Sequence, residues 1–581
     1  MIINIDMSRP TVVTAVTRIL YDPPRTWDAG NTARLLEACN DRKPGASDMP
    51  HPRVARLVRH LLPAIIAWTA IVTAGEARAL ARDGAYVVAQ PSATGTTTID
   101  AMTRDSAGAT FIFGGFTGST LTIGTAQLTK STTSTRDIFV AKLNADGTTA
   151  WARGFGNNTG TGRVTPSAQA IAVDAAGNSY LVGYYTGTFA DLSLGSLGSQ
   201  SGFVTRLDAT GSLVWATELR AVDAQFSDIA VDSTAQAVFV AGSAGSSITL
   251  SPLAPTTVIG RFDGVLARLR QDNGAGEWIR HVGGTGTNNV ISRLALDPAS
   301  QSLVTMAEFN GGNLTSPAAT LRGSRDLAVI KLAYDGTGGT TIQSFSGSNA
   351  MLQSGGLAVD GAGAVYLAGI FNGGITAPVP LGAVGNYTGF IGKLTLDGTV
   401  TWATRFGGLG GNVTVRSIGL DAASRPFVTG SIAYSGLTEP AAAALSRIGT
   451  EDGFVLSADS GGTINWARNF GGAGANIMAG GGAIDADGNI YVAARFTDAG
   501  LTQPTAPLTG TRAAVVIGDV VPRRTLTIAS PSNGTVRDGG GDLVCGTSCS
   551  ASYTAGTAVA LTATPATGYV FAGWTGDCTG T

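Results

Sequence analysis

Short runs of apolar and β-branched residues, separated by Gly, Asp and Asn, follow one another along most of this chain. One stretch contains four of them: AIAVD (170–174), SYLVGYY (179–185), GFVTRLD (202–208) and SLVWATEL (212–219). Apolar alternation between turn residues predicts strands. The first two runs are joined by Asp-Ala-Ala-Gly-Asn and the last two by Asp-Ala-Thr-Gly, which are typical hairpin links. The stretch therefore predicts a four-stranded antiparallel meander.

The same pattern returns at a fixed interval. A tryptophan recurs in steps of 61 to 64 residues if Thr341 is taken as its replacement in one unit: Trp151, Trp215, Trp278, Trp402 and Trp466. A turn aspartate keeps the same period, weakly at Asp105 and then at Asp174, Asp232, Asp297, Asp360, Asp421 and Asp485. Seven repeats of four strands predict an all-β, seven-bladed β-propeller over residues 83–521, with about 63 residues per repeat.

The two ends of the repeat region complete each other. The last unit has predicted strands at 482–485, 489–493 and 512–518 but no tryptophan strand, while Asp83 to Val88 lies 63 residues before the matching part of the next unit. The N-terminal strand is therefore expected to close the last blade, which would leave no open sheet edge.

Two families resemble parts of the chain. The phrase IAVDxxGNxYVxG, followed by DxFVxKLxxxGxxxWxxxFGG, resembles the bacterial β-propeller (SBBP) repeats over roughly residues 83–520, with departures at Gln236, Ala237 and Thr341. This resemblance implies the fold and export, and little about activity. Residues 523–581, with CGTSC, AVALTATPA and FAGWTGDC, resemble internalin-type B-repeats. A small β-rich domain is expected there, truncated after Thr581 because a further cysteine commonly follows in such modules.

The first 81 residues differ from the repeats. Residues 49–81 combine Arg53, Arg56 and Arg59, an apolar stretch and the small-residue cleavage site at Ala77-Arg78-Ala79 or Ala79-Leu80-Ala81, a pattern that predicts a signal peptide. Residues 1–48 are interpreted as a non-native upstream extension or disordered tail. A cytoplasmic tail before a signal anchor is the alternative. The apolar run is short for a bilayer span, so no stable transmembrane helix is expected after cleavage.

Composition narrows the function classes. The chain has 81 glycines, 13% charged residues and a net charge of -2, which gives no electrostatic basis for binding nucleic acid. Cys39 lies alone, whereas Cys545, Cys549 and Cys578 cluster near the end and are candidates for structural disulfides with their pairing left open. These features favour a secreted, periplasmic or cell-surface protein of a bacterium.

Each recurring residue that could bind a cofactor, metal ion or glycan also has a structural explanation. The tryptophans are expected to pack one blade against the next rather than to touch a cofactor. Asp-x-x-Gly-Asn fits a turn better than a calcium loop. The basic residues of each third strand are expected to pack at blade edges, although a ring for acidic glycans is the other interpretation: Lys142, Arg206, Arg268, Lys331 and Lys393.

No catalytic, cofactor-binding or metal-ligating residue is identified. His281 is the only histidine outside the predicted signal peptide, and no acid/base pair is evident among the scattered glutamates Glu218, Glu277, Glu308, Glu439 and Glu451. The sequence favours an exported non-enzymatic binding, adhesion or cell-surface scaffold protein with an unknown extracellular ligand, such as a glycan or surface protein. The alternative is a secreted carbohydrate-active hydrolase or lyase with carboxylates at the propeller channel.

Function is expected on one face of the disc. The short turns fall on one face, and the long links between second and third strands fall on the other, including residues 184–201, 243–263 and 431–452. Loops on a rigid scaffold are where recognition usually lies. The longer-loop face is therefore the predicted binding surface.

Overall fold

The structure is a computed structural model that describes residues 2–6, 14–18 and 85–576, apart from gaps at 93, 158–162, 196–198, 486–488, 498–513, 520–522, 530, 532, 540–542, 546–548 and 555–557. The chain divides into two compact units, residues 76–519 and residues 1–75 with 520–581. Regular structure in the described part is β, with single-turn 3₁₀ helices at Ala190–Leu192 and Ala441–Ala443. None of the described helices has the length and apolar character needed to cross a bilayer.

The larger unit is built from successive four-stranded antiparallel groups, which we call sheets I to VII, with strands a to d in hydrogen-bonding order. Sheet I contains Thr97–Arg104, Thr110–Phe116, Asp137–Leu143 and Thr149–Phe155. Sheet II contains Val164–Val173, Ser179–Gly187, Ser201–Leu207 and Leu213–Leu219. Sheet III contains Gln225–Asp232, Ala237–Ala244, Asp263–Arg270 and Gly276–Val282.

The later groups follow the same plan. Sheet IV contains Asn288–Asp297, Ser302–Asn310, Asp326–Ala333 and Thr340–Phe345. Sheet V contains Met351–Val359, Val365–Asn372, Thr388–Leu394 and Val400–Phe406. Sheet VI contains Asn412–Leu420, Pro426–Ala433, Glu451–Ala458 and Ile464–Phe470. Sheet VII contains Asn476–Ile484, Ile490–Thr497, Ala514–Asp519 and Ala85–Pro91.

Strand d of sheet VII comes from the beginning of the described repeat region. It pairs antiparallel with Ala514–Asp519, with Tyr86 opposite Val516. Its far end pairs with a hairpin of the sheet I b–c link, Thr120–Ile123 and Ala126–Thr129. A parallel pair between Glu451 and Asn476 joins sheet VI to sheet VII, so these strands and the hairpin form one ten-stranded sheet. A second small hairpin, Leu314–Thr315 with Ala318–Ala319, lies in the sheet IV b–c link.

The hydrophobic core lies between neighbouring sheets. Tyr180 and Val204 of sheet II share one buried cluster with Phe226 and Val238 of sheet III. The other consecutive pairs of sheets have equivalent clusters. Sheets VII and I also share a cluster, which contains Tyr491, Ala493, Ile112 and Phe139. Each repeat thus buries both faces of its sheet against neighbours, the arrangement typical of a β-propeller.

The first strands of sheets II and VII are longer than their sequence pattern predicts. In sheet II the strand begins at Val164 rather than at 170, and in sheet VII it begins at Asn476 rather than at 482. The cause is a β-bulge in the a–b pairing, which falls between Ala168 and Ala170 in sheet II. Because a bulge inserts one residue, it breaks the alternation and hides the N-terminal half of the strand.

The smaller unit has two four-stranded sheets. One joins Ser550–Thr554, Arg523–Ile528, Ile2–Asp6 and Gly573–Gly576, and the other joins Thr14–Arg18, Ala558–Pro565, Gly534–Asp538 and Val544–Cys545. Its core contains Leu526, Val536, Leu561 and Trp574. Two strands thus come from residues 1–48; the predicted signal peptide at 49–81 lies outside the described residues, as do Cys39 and Cys578.

Candidate binding face

The two ends of the sheets in the larger unit differ in their loops. The a–b and c–d hairpins lie at one end, which we call the turn face. The b–c links and the connections from each strand d to the next strand a lie at the other end, which we call the link face.

The turn aspartates hold the hairpins of the turn face closed. Asp174 Oδ1 accepts hydrogen bonds from the backbone N–H groups of Ala176 at 3.0 Å and Asn178 at 2.9 Å, and its Oδ2 accepts one from the Tyr180 hydroxyl at 2.9 Å. Burial alone would raise the pKa of Asp174, but these hydrogen bonds lower it below its ordinary value. Among the described residues, no group of three or more His, Cys, Asp or Glu is placed to hold a metal ion.

The repeated tryptophans connect each sheet to the next. In four of the five, the indole N–H donates to a backbone carbonyl in the c–d turn of the following sheet: Trp151 to Ala209 at 3.0 Å, Trp215 to Gln271 at 3.1 Å, Trp278 to Tyr334 at 2.9 Å and Trp402 to Ser460 at 2.9 Å. The fifth, Trp466, packs against the core shared by sheets VI and VII. A glycine with positive φ lies against the ring, such as Gly274 beneath Trp215, where a Cβ would collide with the indole. Where Thr341 replaces tryptophan, Gln343 Nε2 donates to the Gly398 carbonyl at 3.0 Å.

Four of the five basic residues of the third strands lie against aromatic rings of their own sheets: Lys142, Arg206, Arg268 and Lys393. The Lys142 ammonium is 4.9 Å from the centre of the Phe111 ring, and the Lys393 ammonium is 4.8 Å from that of Tyr366. Arg268 forms an ion pair with Glu277 at 2.6 Å. These contacts favour the packing interpretation over an open ring of cations.

Strands a of consecutive sheets lie side by side and are called the inner strands. Charged side chains collect toward the link face on the inner strands, on neighbouring strands b and c, and in two b–c links. We call them the central cluster: Asp100, Arg136, Asp228, Arg293, Glu308, Arg325, Arg416, Glu451 and Arg495. Arg136 Nη2 and Asp100 Oδ2 are 3.1 Å apart, and Arg325 Nη1 and Glu308 Oε2 are 3.3 Å apart. Arg293 of sheet IV donates through Nε to the Gly355 carbonyl of sheet V at 3.0 Å and through Nη2 to the Arg416 carbonyl of sheet VI at 3.4 Å. Side chains from non-adjacent repeats therefore meet here.

The carboxylates of the central cluster are poorly solvated. Burial raises the pKa of Asp100 despite Arg136, and burial raises that of Glu451 despite a hydrogen bond from Ser431. Burial also raises the pKa of Asp228 to about 6, although Arg293 and the Leu294 amide oppose it. The cluster contains five arginines and four carboxylates, and three of the carboxylates have raised pKa values. The positive charges therefore outnumber the negative ones, and the local electrostatic potential is positive.

The Asp228 shift gives a pH-dependent prediction. The folded state holds the proton more tightly than the unfolded chain, whose aspartate has a pKa near 3.8. The associated stability is present below about pH 4 and is lost as pH rises through about 6. We expect Asp228→Asn to gain stability relative to the wild type between pH 4 and pH 7, measured by urea unfolding. Asp397→Asn is the control, because hydrogen bonding lowers the pKa of Asp397 to about 2, below this window. The difference in unfolding free energy between variant and wild type should change with pH for Asp228→Asn only. An equal pH dependence in Asp397→Asn would contradict the raised pKa of Asp228.

Two exposed apolar side chains stand out on the link face around sheet VI. Leu409, in the connection from sheet V, is 84% exposed, and Tyr434, just after strand b of sheet VI, is 72% exposed. Their turns adjoin, because the Gly407 amide donates to the Glu439 carbonyl at 3.0 Å and the Thr438 amide donates to the Gly407 carbonyl at 2.8 Å. Both side chains therefore lie on one part of the predicted binding surface.

Tyr434 occupies a backbone position that suits glycine. Its φ is +68°, and the residues that follow strand b in sheets IV and V are Gly311 at +80° and Gly373 at +73°. The turn is the same in sheets V and VI, since the Gly374 amide donates to the Asn372 carbonyl at 2.8 Å and the Ser435 amide to the Ala433 carbonyl at 2.9 Å. A bulky residue in this region carries strain, which is often retained at functional sites.

Replacing Tyr434 by glycine should relieve that strain. We expect Tyr434→Gly to raise the free energy of unfolding by about 1 kcal/mol, because the left-handed conformation costs a side chain that amount or more. Ser424→Gly, at φ +57° in a turn-face hairpin, should also stabilise the fold. Denaturant unfolding checks both, and a loss of stability in Tyr434→Gly would show that the ring contributes to packing.

The sequence located some of these features and missed others. The structure joins Cys545 to Cys549 in a disulfide. It places Glu308 and Glu451 in the central cluster, whereas Glu277 and Glu439 form ion pairs elsewhere, the latter with Arg405 at 3.0 Å. Asp100 and Arg416 were not recognised. Both occupy the bulge of a first strand, a position visible only when the inner strands are aligned on their bulges.

Comparison with known proteins identifies the C-terminal segment. A family model described as a divergent InlB B-repeat domain matches residues 524–581. No curated protein sequence matches the chain.

Solved structures that resemble the chain are distant. Quinohemoprotein alcohol dehydrogenase ADHIIG from Pseudomonas putida HK5 is 12% identical with a TM-score of 0.36, covering 78% of this chain and 79% of that chain. The Dos1 propeller is 9% identical with a TM-score of 0.36, covering 74% and 94%. BamB from Moraxella catarrhalis is 15% identical with a TM-score of 0.31, covering 73% and 83%. Likenesses this weak carry no argument about activity.

Proposed function

We propose that the protein is an exported, non-enzymatic binding or adhesion protein that contacts an extracellular ligand through its link face. The observation that carries this proposal is the pair Tyr434 and Leu409, with ring and side chain largely in water on adjoining turns. Exposed apolar groups grouped on one face are typical of interaction sites. The strained backbone of Tyr434 supports a role outside folding, because glycine would serve the turn better.

The proposed scaffold is a closed seven-bladed propeller in which strand Ala85–Pro91 completes the last blade. Inner strands of consecutive sheets lie side by side, and the inner strand of sheet VII lies beside that of sheet I. The cluster shared by Tyr491 and Phe139 supports closure at the same junction. A rigid ring would hold the link-face loops in fixed positions, which lowers the entropy cost of binding.

Export is supported by the smaller unit. The Cys545–Cys549 disulfide and the B-repeat match at 524–581 are compatible with an extracellular protein. The predicted signal peptide at 49–81 and the domain limits at 83–521 and 523–581 belong to the same proposal. Cleavage would remove strands Ile2–Asp6 and Thr14–Arg18, so the mature smaller unit would consist of residues 523–581 without them. N-terminal sequencing of the exported protein would test the cleavage site, and a mature N-terminus upstream of residue 61 would remove the signal-peptide assignment.

Attachment to glycans and surface proteins tests the binding role. We expect the double variant Leu409→Ser, Tyr434→Ser to lose most binding in a screen of immobilised glycans and matrix proteins. A chain with residues 431–452 replaced by a short linker should lose it too. The matched control is Leu213→Ser, Val214→Ser, which removes side chains 42% and 47% exposed near the turn face. Undiminished binding by both link-face variants would refute the proposal.

The alternative function is a secreted carbohydrate-active hydrolase or lyase. The observation that favours it is that Asp100 and Glu451, both with raised pKa values, interact with the same arginine, Arg416. Carboxyl groups with raised pKa values serve as general acids. Release of reducing ends or unsaturated products from polysaccharides by the wild type, abolished in Glu451→Gln, would establish this activity instead.

A further inference from the structure

The first feature is the guanidinium group of Arg416. Within the described part of the chain, that group donates no hydrogen bond and forms no ion pair, although the backbone carbonyl of Arg416 accepts one from Arg293. The side chain is exposed to solvent, yet surrounding protein atoms and the charge of Arg293 lower its pKa. The group is thus open to a small solute while standing in a poorly solvated site.

Arg495 is a second cation with little compensation. Its side chain is exposed, and its one hydrogen bond among the described residues goes from Nη2 to the Met478 sulfur at 2.7 Å. A thioether is a weak acceptor that carries no charge. Met478 lies on strand a of sheet VII, which packs beside strand a of sheet VI, the strand that carries Arg416. The Arg495 guanidinium group therefore contacts the strand beside that of Arg416, and the two guanidinium groups interact electrostatically.

The carboxylates nearby are already engaged. Asp100 Oδ2 accepts hydrogen bonds from Arg136 at 3.1 Å and from the Thr98 hydroxyl at 3.0 Å. Glu451 is hydrogen bonded by Ser431 and Asn476. Arg416 and Arg495 therefore interact with Asp100 and Glu451 only at longer range, with no ion pair between them among the described residues. An anion entering from the link face would supply direct acceptors.

We propose that the central cluster binds the carboxylate of an acidic sugar, held by Arg416 and Arg495. The planar guanidinium matches a carboxylate with two parallel hydrogen bonds, and a poorly solvated site strengthens such pairs. A monoanion fits better than a phosphate, since Asp100 and Glu451 would repel a second negative charge.

One neighbouring hydroxyl suits the rest of a sugar. Ser417, next to Arg416, is half-buried and is hydrogen bonded at 2.7 Å to the fully buried Thr429 hydroxyl, and its own hydroxyl can take part in a further hydrogen bond. This site goes beyond the proposed function, because its two arginines lie on strand a of sheet VI and strand b of sheet VII rather than on the Tyr434 turn, and it names a ligand chemistry.

Titration with glucuronate tests the proposal, with glucose as the uncharged probe, using calorimetry on the full chain. We expect glucuronate to bind, glucose to fail, and Arg416→Met to weaken glucuronate binding on the order of 10- to 100-fold. Arg495→Met should show a similar loss, and it keeps the test valid if Arg416→Met does not fold. Arg270→Met is the control, since Arg270 pairs with Asp272 on the turn face at 3.0 Å.

Several outcomes would overturn the assignment. These are equal binding of glucose and glucuronate, tighter binding of inorganic phosphate, or unchanged glucuronate affinity in both arginine variants. Binding of an oligouronide but not of the monosaccharide would support it and identify a polysaccharide as the source. Glu451→Gln should bind glucuronate more tightly, because it removes a competing negative charge.

The experiments distinguish failure of the link-face binding proposal from failure of the carboxylate-site proposal. If Leu409→Ser, Tyr434→Ser loses surface attachment but keeps glucuronate affinity, the cluster is an independent site. If glucuronate does not bind while attachment through Tyr434 persists, the carboxylate site is wrong and the proposed function stands.

Discussion

A chain in which residues 85–91 are replaced by a Gly-Ser linker of equal length is expected to lose about 3–6 kcal/mol of stability in its larger unit. The replaced strand pairs with Ala514–Asp519 at four residues and with Thr122 and Leu121 at two more. Each backbone hydrogen bond contributes about 0.5–1.5 kcal/mol, and Ala89 is fully buried in the cluster shared by sheets VII and I. The loss should concentrate at this junction because no other described strand can take the place of strand d.

Hydrogen exchange gives the sharpest measurement of that variant. Amides of residues 514–519 should exchange much faster than in the wild type, whereas those of sheet III should change little. An unpaired edge also promotes association, so light scattering should show oligomers. A synthetic peptide with the sequence of residues 85–91 should restore protection at excess concentration by mass action. Unchanged exchange at 514–519 would show that the ring does not depend on this strand.

The sequence could predict the hairpins because their chemistry is local. Asp174, the glycine at 177 and Asn178 form a turn in which the backbone N–H groups of Ala176 and Asn178 donate to Asp174 Oδ1 within five residues, so the pattern and the geometry coincide. The first strands were harder, since the bulge at Gln169 interrupts their alternation and its position depends on pairing with strand b. The predicted strand ends are therefore correct where a local turn sets them. The predicted strands are too short where pairing with a neighbouring strand sets the end.

The central cluster was beyond sequence reasoning for a different reason. Asp100 and Arg416 are more than three hundred residues apart and meet only because the inner strands of different sheets converge. Spacing rules apply within one element and cannot bring such residues together. Tyr434 is an intermediate case: the 431–452 link was predicted on the binding face, but the strain of the tyrosine appears only from its φ angle. The choice of Cys545–Cys549 among three cysteines likewise needed coordinates.

The four tryptophans that donate to the following sheet give the second large prediction, because they differ in burial while making the same hydrogen bond. Trp278 is 9% exposed, its N–H donates to Tyr334 at 2.9 Å, and its ring centre is 6.2 Å from that of Phe239. Truncating a buried aromatic residue costs roughly 3–5 kcal/mol, so we expect Trp278→Ala to lose that much stability. Trp151 makes the equivalent hydrogen bond at 3.0 Å but is half-buried, so Trp151→Ala should lose less.

A phenylalanine variant separates the contribution of the aromatic ring to stability from that of the indole hydrogen bond. Trp278→Phe keeps much of the apolar contact and removes the indole N–H, so about 1 kcal/mol should be lost beyond the change in size. Denaturant unfolding followed by circular dichroism measures all three variants. If the tryptophans act as contacts between sheets, the losses will follow burial, with Trp278→Ala largest. Equal small losses in Trp278→Ala and Trp151→Ala would contradict the packing role, because a ring that contributes nothing when buried cannot be holding neighbouring sheets together.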